Sequence, residues 1–479
     1  MLLAHLLIIA VCAGVCYTAR SSLRAQVLKI GIFASLGIIH GLVPALTTDE
    51  LRNSSSMYLL DSRFTDGART SAAWYAFASV SLLALGWGTF DSWNNRGAQL
   101  SNKAVYQVIF SRRGQALLIF MFWVSMALTL LALALQLFST GASLSEFAQA
   151  SRFEYRSRDA MMSLVWGHLM SFGFIPGSVG FFLSSRYRSL GIVFTVTLTL
   201  LLFFVFAKGT RNLPLGLLSG LGIAYVMRYP VTGKRLALFC FGASVIGLLT
   251  VSLYEVRKVM SSASLSELAT TMCSVETYQE SLTSDPLNYH EYLVAAMALV
   301  PEHHHYFEGA TYRRILFFWM PTSWENSWKP QDTNILFARV LDPRIRGDVT
   351  IPPSIPGDVY VNFWGWWGLP ALFMQGALLA WISKKMYSNV LWFTIFGAMS
   401  GRFFLLVIRG QPYDLFVMIL FILVAVYLIS LINPYSFSQA QRDVHALVRR
   451  SIVHGLAQRR ALRKPVMPVH RLGTLRCTK

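Results

Sequence analysis

Charge is scarce in this chain. Only 14% of its 479 residues are Asp, Glu, Lys or Arg, where a water-soluble domain carries about 25%. Because 54% of the residues are hydrophobic, the shortage excludes an ordinary soluble globule and leaves a polytopic membrane protein. Cysteine is scarce too. The five, at positions 12, 16, 240, 273 and 477, suggest no disulfide framework. Cys12 and Cys16 lie one helical turn apart in an apolar run and read as small packing residues. No Asp-x-Asp element occurs, which disfavours a metal-held diphosphate of the nucleotide-sugar type. The tract "PEHHHYFEG" invites a metal, but its adjacent histidines point in different directions, and no second ligand pair stands at zinc-like spacing. No metal or cofactor is therefore expected. "MLLAHLLIIAVCAGVCYTAR" has no basic residue before its apolar core, which speaks against a cleaved signal peptide.

What the chain has in quantity is apolar length. At roughly 20 apolar residues per crossing, eleven spanning segments are expected, near 2–18, 28–46, 71–90, 115–139, 161–181, 189–207, 212–227, 236–254, 359–383, 388–408 and 412–433. The seventh is short and carries Pro214. The expected fold is thus all-α: an integral membrane protein of about 11 transmembrane helices with one long, partly helical periplasmic loop. Its parts are N-terminal membrane helices over 1–254, a loop or cap over 255–358, C-terminal membrane helices over 359–433 and a basic tail over 434–479. The loop has two helix signatures. "SLSELATTM" sets Glu267 three residues after Ser264, a capping box. "DPLNYHEYLVAAMALVP" offers Asp285 as N-cap, Pro286 at the first helical position and Pro301 as the stop.

The formal charge of +19 is no sign of nucleic acid, because Lys and Arg gather between apolar runs and in the tail. That pattern points to topology and contact with anionic lipid. The tail, with Arg442, Arg449, Arg450 and seven further cations against Asp443, belongs in the cytoplasm. Counting back, the Lys384–Lys385 turn is cytoplasmic, the long loop is outside and the N-terminus comes out external. Under this map several cations stand on the wrong side. Lys208 and Arg211 face outward, as does Arg409, and the loop adds Arg313, Arg314 and Lys329. Arg402, seven residues before Arg409, lies about 10 Å deeper along the same helical face. Arginine within a membrane helix costs at least ~2.5 kcal/mol and defaults to a functional hypothesis. Cations gathered at one membrane face ask for an anion.

Two further stretches carry polar chemistry. "FFWMPTSWENSWKPQD" interleaves Trp324 and Trp328 with polar residues and Lys329; its aromatics serve either as an interfacial belt or as a platform for sugar rings. "SIPGDVYVNFWGWWGLP" brings Asp358, Tyr360 and Asn362 to the mouth of the ninth span. The carboxylate there is either an ion-pair partner for the arginines or a catalytic base.

"AKGTRNLPLG", "YRRILFFWMPTSWENSWKPQD", "PPSIPGDVYVNFWGWWGLPALFMQG" and "IRGQPYD", in that order, resemble motifs of the Wzy-type polysaccharide repeat-unit polymerases, the O-antigen polymerase group of bacterial inner membranes. Asp358 stands where that family more usually has Glu, and Trp364 where it often has Gly. The resemblance implies a glycosyltransferase acting on polyprenyl-diphosphate-linked oligosaccharide at the periplasmic face. Its partners would include the bilayer, a flippase and a chain-length regulator. It implies Arg211, Arg314 and Arg409 as diphosphate ligands and Asp358 as base. Lys208, Arg313, Lys329, Arg402, Trp324, Trp328, Tyr360 and Asn362 would contact substrate. A ligase joining finished glycan to a lipid core shares the donor chemistry. A transporter of lipid-linked glycan would show repeats and a midplane site instead.

Overall fold

The computed structural model describes residues 1–19, 27–46, 64–94, 289–320, 329–343, 351–386 and 406–432, with a few isolated positions besides. Among these residues the structure is helical, with no strand. We number the helices α1 (Leu2–Ala19), α2 (Val27–Gly37), α3 (Asp66–Asn94), α4 (Tyr289–Leu299), α5 (Ala310–Leu316), α6 (Thr333–Leu341), α7 (Ser354–Asn362), α8 (Leu369–Met386) and α9 (Pro412–Ile432). A π-helical turn, Ile38–Leu42, and a last helical turn, Val43–Leu46, extend α2. Leu2–Ala19, Leu28–Leu46 and Asp66–Asp91 are long and apolar enough to cross a membrane. These mark the chain as a membrane protein. The expected spans at 115–139, 161–181, 189–207, 212–227 and 236–254, most of 388–408, both loop N-caps and the basic tail lie outside the described residues.

Among the described helices, α3 and α8 share the most extensive contact. A Cβ on Gly86 would overlap the Phe373 carbonyl, and one on Gly376 would overlap the Leu83 carbonyl. Tyr75, eleven residues before Gly86, donates to the carbonyl of Gly365, eleven residues before Gly376, so the helices run parallel at this crossing. Small residues in register let backbones approach where lipid provides no hydrophobic drive between helices. Gly86→Val or Gly376→Val should therefore separate the pair and lower thermal stability in detergent, while Gly88→Val, whose Cβ would meet nothing within 4 Å, should not.

The structure departs from the expected ninth span. Residues 359–383 are not one helix: α7 stops at Asn362, Trp364 and Gly365 take positive φ angles of 56° and 68°, a 3-10 turn covers Gly365–Gly368, and α8 begins anew. The sequence "FWGWWGLP" supplies the reason. Gly365 is permissive at positive φ, and Pro370 suits the first turn of a helix better than its interior. Trp364, Trp366 and Trp367 at this break are exposed, as aromatics at a membrane edge are. Helix α7 has nine residues, too few to span, yet every one is buried.

The segment read as a cap also contributes to the core. His290, Tyr292, Leu293, Val294, Ala295, Ala296, Ala298 and Leu299 of α4 are all buried, the signature of a helix enclosed on most sides. It packs on α3, α6, α7 and the π turn. Pro301 follows its end, as the sequence suggests. Arg69 of α3 lies 4.0 Å from Glu291 of α4, tying the loop helix to a membrane helix by charge as well as packing.

Candidate functional site

The site is built around α7. At its C-terminal end the carbonyls of Val361 and Asn362, which have no intrahelical donor, accept the N–H groups of Phe307 (2.8 Å) and Gly309 (2.9 Å). Gly309, at φ 70°, then turns the chain into α5. This sets α5 across the end of α7 and aims Thr311 and Tyr312 at Asp358.

Asp358 is 1% exposed. Its Oδ1 accepts hydrogen bonds from Thr311 Oγ1 (3.1 Å) and Asn362 Nδ2 (3.1 Å), and its Oδ2 accepts one from Tyr312 O–H (3.1 Å). The Tyr312 oxygen in turn accepts from Gln375 Nε2 of α8 at 2.6 Å. Thr311 also meets Thr333 of α6 through a very short hydroxyl contact. Burial pushes the Asp358 carboxyl up to about 7; the hydrogen bonds from Tyr312 and Thr311 pull the other way, and the charge of Asp332 adds to the rise. Burial, with the Asp358 charge beside it, likewise holds the Tyr312 phenol well above its ordinary value. Asn362 is fully buried and gives its amide to the Asp358 carbonyl, to Oδ1 and to Thr311. Tyr360 is buried edge-on against Tyr75, with ring centroids 5.2 Å apart, and beside Tyr306. It packs against these rings rather than bonding Asp358.

The cations gather further along α5. Thr311 and Arg314, three residues apart, share the inward face, while Arg313 points out and is exposed. The sequence alone left open which of the two arginines faces in. Arg314 is 5% exposed and donates from Nη1 to the Pro330 carbonyl at 2.7 Å. Its guanidinium lies 4.8 Å from the ring centroid of Tyr413, and Lys329 Nζ lies 5.6 Å from the same ring. Lys329 is 3% exposed and donates to the Met320 carbonyl at 2.9 Å. Two buried cations on one phenol ring gain from its quadrupole but repel each other.

Tyr413 belongs to the first turn of α9, and the turn preceding it carries half-buried Arg409. Gly410 takes φ 66°, and a Cβ there would overlap the Ser354 carbonyl at the head of α7. The Arg409 turn is thus seated on one end of α7, one helical turn from Asp358. Gly410→Ala combines a positive φ with that overlap and should unseat the turn and lower thermal stability in detergent, while α9, which starts afresh at Pro412, keeps its helix.

The structure therefore brings Arg314, Lys329, Arg409, Asp358 and Asn362 around α7 and the start of α9, and leaves Arg313 outside. Lys208, Arg211, Arg402, Trp324 and Trp328 lie outside the described residues. Sequence reasoning missed Tyr312, Gln375 and Tyr413, which only folding sets against Asp358 and Arg314. It also missed three buried histidines from distant segments. His5 Nδ1–H donates to the His40 carbonyl in the π turn at 2.7 Å, and His40 and His290 Nδ1 atoms stand 3.4 Å apart. Three lone histidines at 5, 40 and 290 give no spacing signal. No group of three or more His, Cys, Asp or Glu among the described residues is placed to hold a metal ion. No known protein family, curated protein or solved structure matches the chain.

Proposed function

We propose that this protein is a membrane glycosyltransferase that polymerises polyprenyl-diphosphate-linked oligosaccharide units at the outer face of a bacterial inner membrane. One observation carries the reading. Buried Arg314 and Lys329 meet on Tyr413, beside the Arg409 turn, at the helix that holds a buried carboxyl of near-neutral proton affinity. Two cations side by side offer an anion more than one charge, and an arginine fork can hold two diphosphate oxygens at once.

In the proposed reaction the acceptor sugar's hydroxyl oxygen attacks the donor's anomeric carbon. The bond from that carbon to the diphosphate oxygen breaks, and its electron pair stays with the diphosphate. Arg314 and Arg409 stabilise the charge that grows there, with Lys329 in support and Arg211, Lys208 and Arg402 as further cations from the sequence reading. The hydroxyl proton goes to Asp358. Because Asp358 is sealed and Tyr312 is half-buried, the proton passes through the Tyr312 hydroxyl. It joins the phenolic oxygen as the phenol's own proton moves to Oδ2.

The test is reconstitution: the purified chain in lipid nanodiscs, given a polyprenyl-diphosphate-linked oligosaccharide, should yield a ladder of longer lipid-linked products and free polyprenyl diphosphate. Products confined to a different acceptor would make the chain a ligase. Substrate crossing the bilayer without bond formation would make it a transporter.

A further inference from the structure

We propose that Gln375 is a positioning residue for this transfer: its amide N–H, given to the Tyr312 oxygen, obliges the Tyr312 hydroxyl to donate to Asp358 and keeps that carboxylate ready for the acceptor's proton. The inference rests on the reading of Asp358 as the base. It starts from proton inventory. A phenol has one proton and lone pairs that accept, and an ionised carboxylate has no proton to give. Tyr312 stands between Asp358 Oδ2 at 3.1 Å and Gln375 Nε2 at 2.6 Å. With Asp358 ionised, the phenolic proton must point to Oδ2, so the group arriving from Gln375 must be an N–H.

The surroundings make this direction matter. Thr311 and Asn362 occupy Oδ1. Asp332, the N-cap of α6, adds negative charge. Tyr75 of α3 gives its hydroxyl to the Gly365 carbonyl, and α4 presents apolar Leu293 to α7. Arg314 lies further along α5. Among the described residues Tyr312 is thus the one donor to Oδ2, and α8 holds it in that role from the far side. Gln375 also stands one residue before Gly376, which packs against the Leu83 carbonyl of α3, so its backbone is held in place.

Gln375→Glu reverses the arrangement. A carboxylate at 375 accepts the phenolic proton, withdraws it from Asp358 and adds a like charge nearby. Gln375→Met, of similar size, removes the N–H without offering a rival acceptor. The readout is the infrared band of the protonated Asp358 carboxyl in the purified full-length chain in nanodiscs. The band is isolated as the difference from the same protein carrying Asp358→Asn and followed over pH. Wild type should titrate near 7. Gln375→Glu should titrate at least about one pH unit higher, a tenfold change in proton affinity, and Gln375→Met, which leaves the phenol free to turn from Oδ2, higher than wild type by a smaller step. Tyr312→Phe should also raise the midpoint, and it carries the test should Gln375→Glu fail to fold. Equal midpoints in wild type, Gln375→Glu and Tyr312→Phe would overturn the inference, as would Glu and Met variants that shift alike. If Asp358→Asn still elongates glycan, the base reading itself fails whatever the band does; if it is inactive and the band does not move, only the role of Gln375 fails.

Discussion

Replacing Arg314 by Lys should abolish chain elongation although the charge is kept. In a strain dependent on this protein, the polysaccharide ladder on a gel should collapse to single repeat units, and the rate in nanodiscs should fall on the order of 10²–10³-fold. The expectation follows from shape. A guanidinium presents parallel N–H donors in a plane, and that plane can rest on the Tyr413 ring while its outer edge meets two phosphate oxygens. An ammonium is a point charge. It could still donate to the Pro330 carbonyl, as Arg314 Nη1 does, and could still neutralise an anion in part. Activity near wild type in Arg314→Lys would therefore assign Arg314 to pinning the Pro330 end of its loop and remove it from diphosphate binding. The Lys329→Arg variant makes the converse case: adding a fork where the proposal needs only charge should cost less than tenfold.

The second large effect concerns pH. Burial raises the Asp358 carboxyl to about 7, far above its ordinary value near 3.9. The folded protein therefore holds a proton there that the unfolded chain releases between about pH 4 and 7. Linkage makes the sign definite. Over that window Asp358 disfavours the folded state increasingly as pH rises, and the cost is complete above pH 7. The proposed catalysis runs the other way, because only the ionised form accepts a proton. The elongation rate should fall about tenfold for each pH unit below the midpoint and level off above it. Asp358→Asn should remove both dependences together: elongation is lost at every pH, while thermal stability in detergent at pH 8 is retained or improved. A variant that elongates normally would exclude Asp358 as base. A variant that loses stability equally at pH 5 and pH 8 would make the carboxyl a fixed anchor of α5 on α7.

Parts of this architecture can be read directly from the residues. Helix α9 is one, since Gly410 and Pro412 punctuate its start and an unbroken apolar run follows. The α3 span is another. The break between α7 and α8 escapes a count of apolar length, because such a count records composition and not direction, and "FWGWWG" is apolar throughout. Helix α4 looks like part of a polar loop because its flanks are polar, although its own residues are enclosed. Arg313 and Arg314 are indistinguishable in sequence; the phase set by Gly309 and Thr311 turns one inward. Asp358 stood out as a carboxyl beside an apolar run. The network that sets its proton affinity draws on positions 311, 312, 333, 362 and 375, and no local pattern joins them. The histidine contact across positions 5, 40 and 290 is hidden for the same reason.

Binding of the leaving group tests the central claim most directly. Polyprenyl diphosphate should bind the purified protein in nanodiscs, measured by native mass spectrometry, and Arg314→Ala and Arg409→Ala should each weaken it at least about tenfold, with polyprenyl monophosphate binding more weakly than the diphosphate. Equal affinity in wild type and both folded variants, or no preference for the second phosphate, would contradict the account.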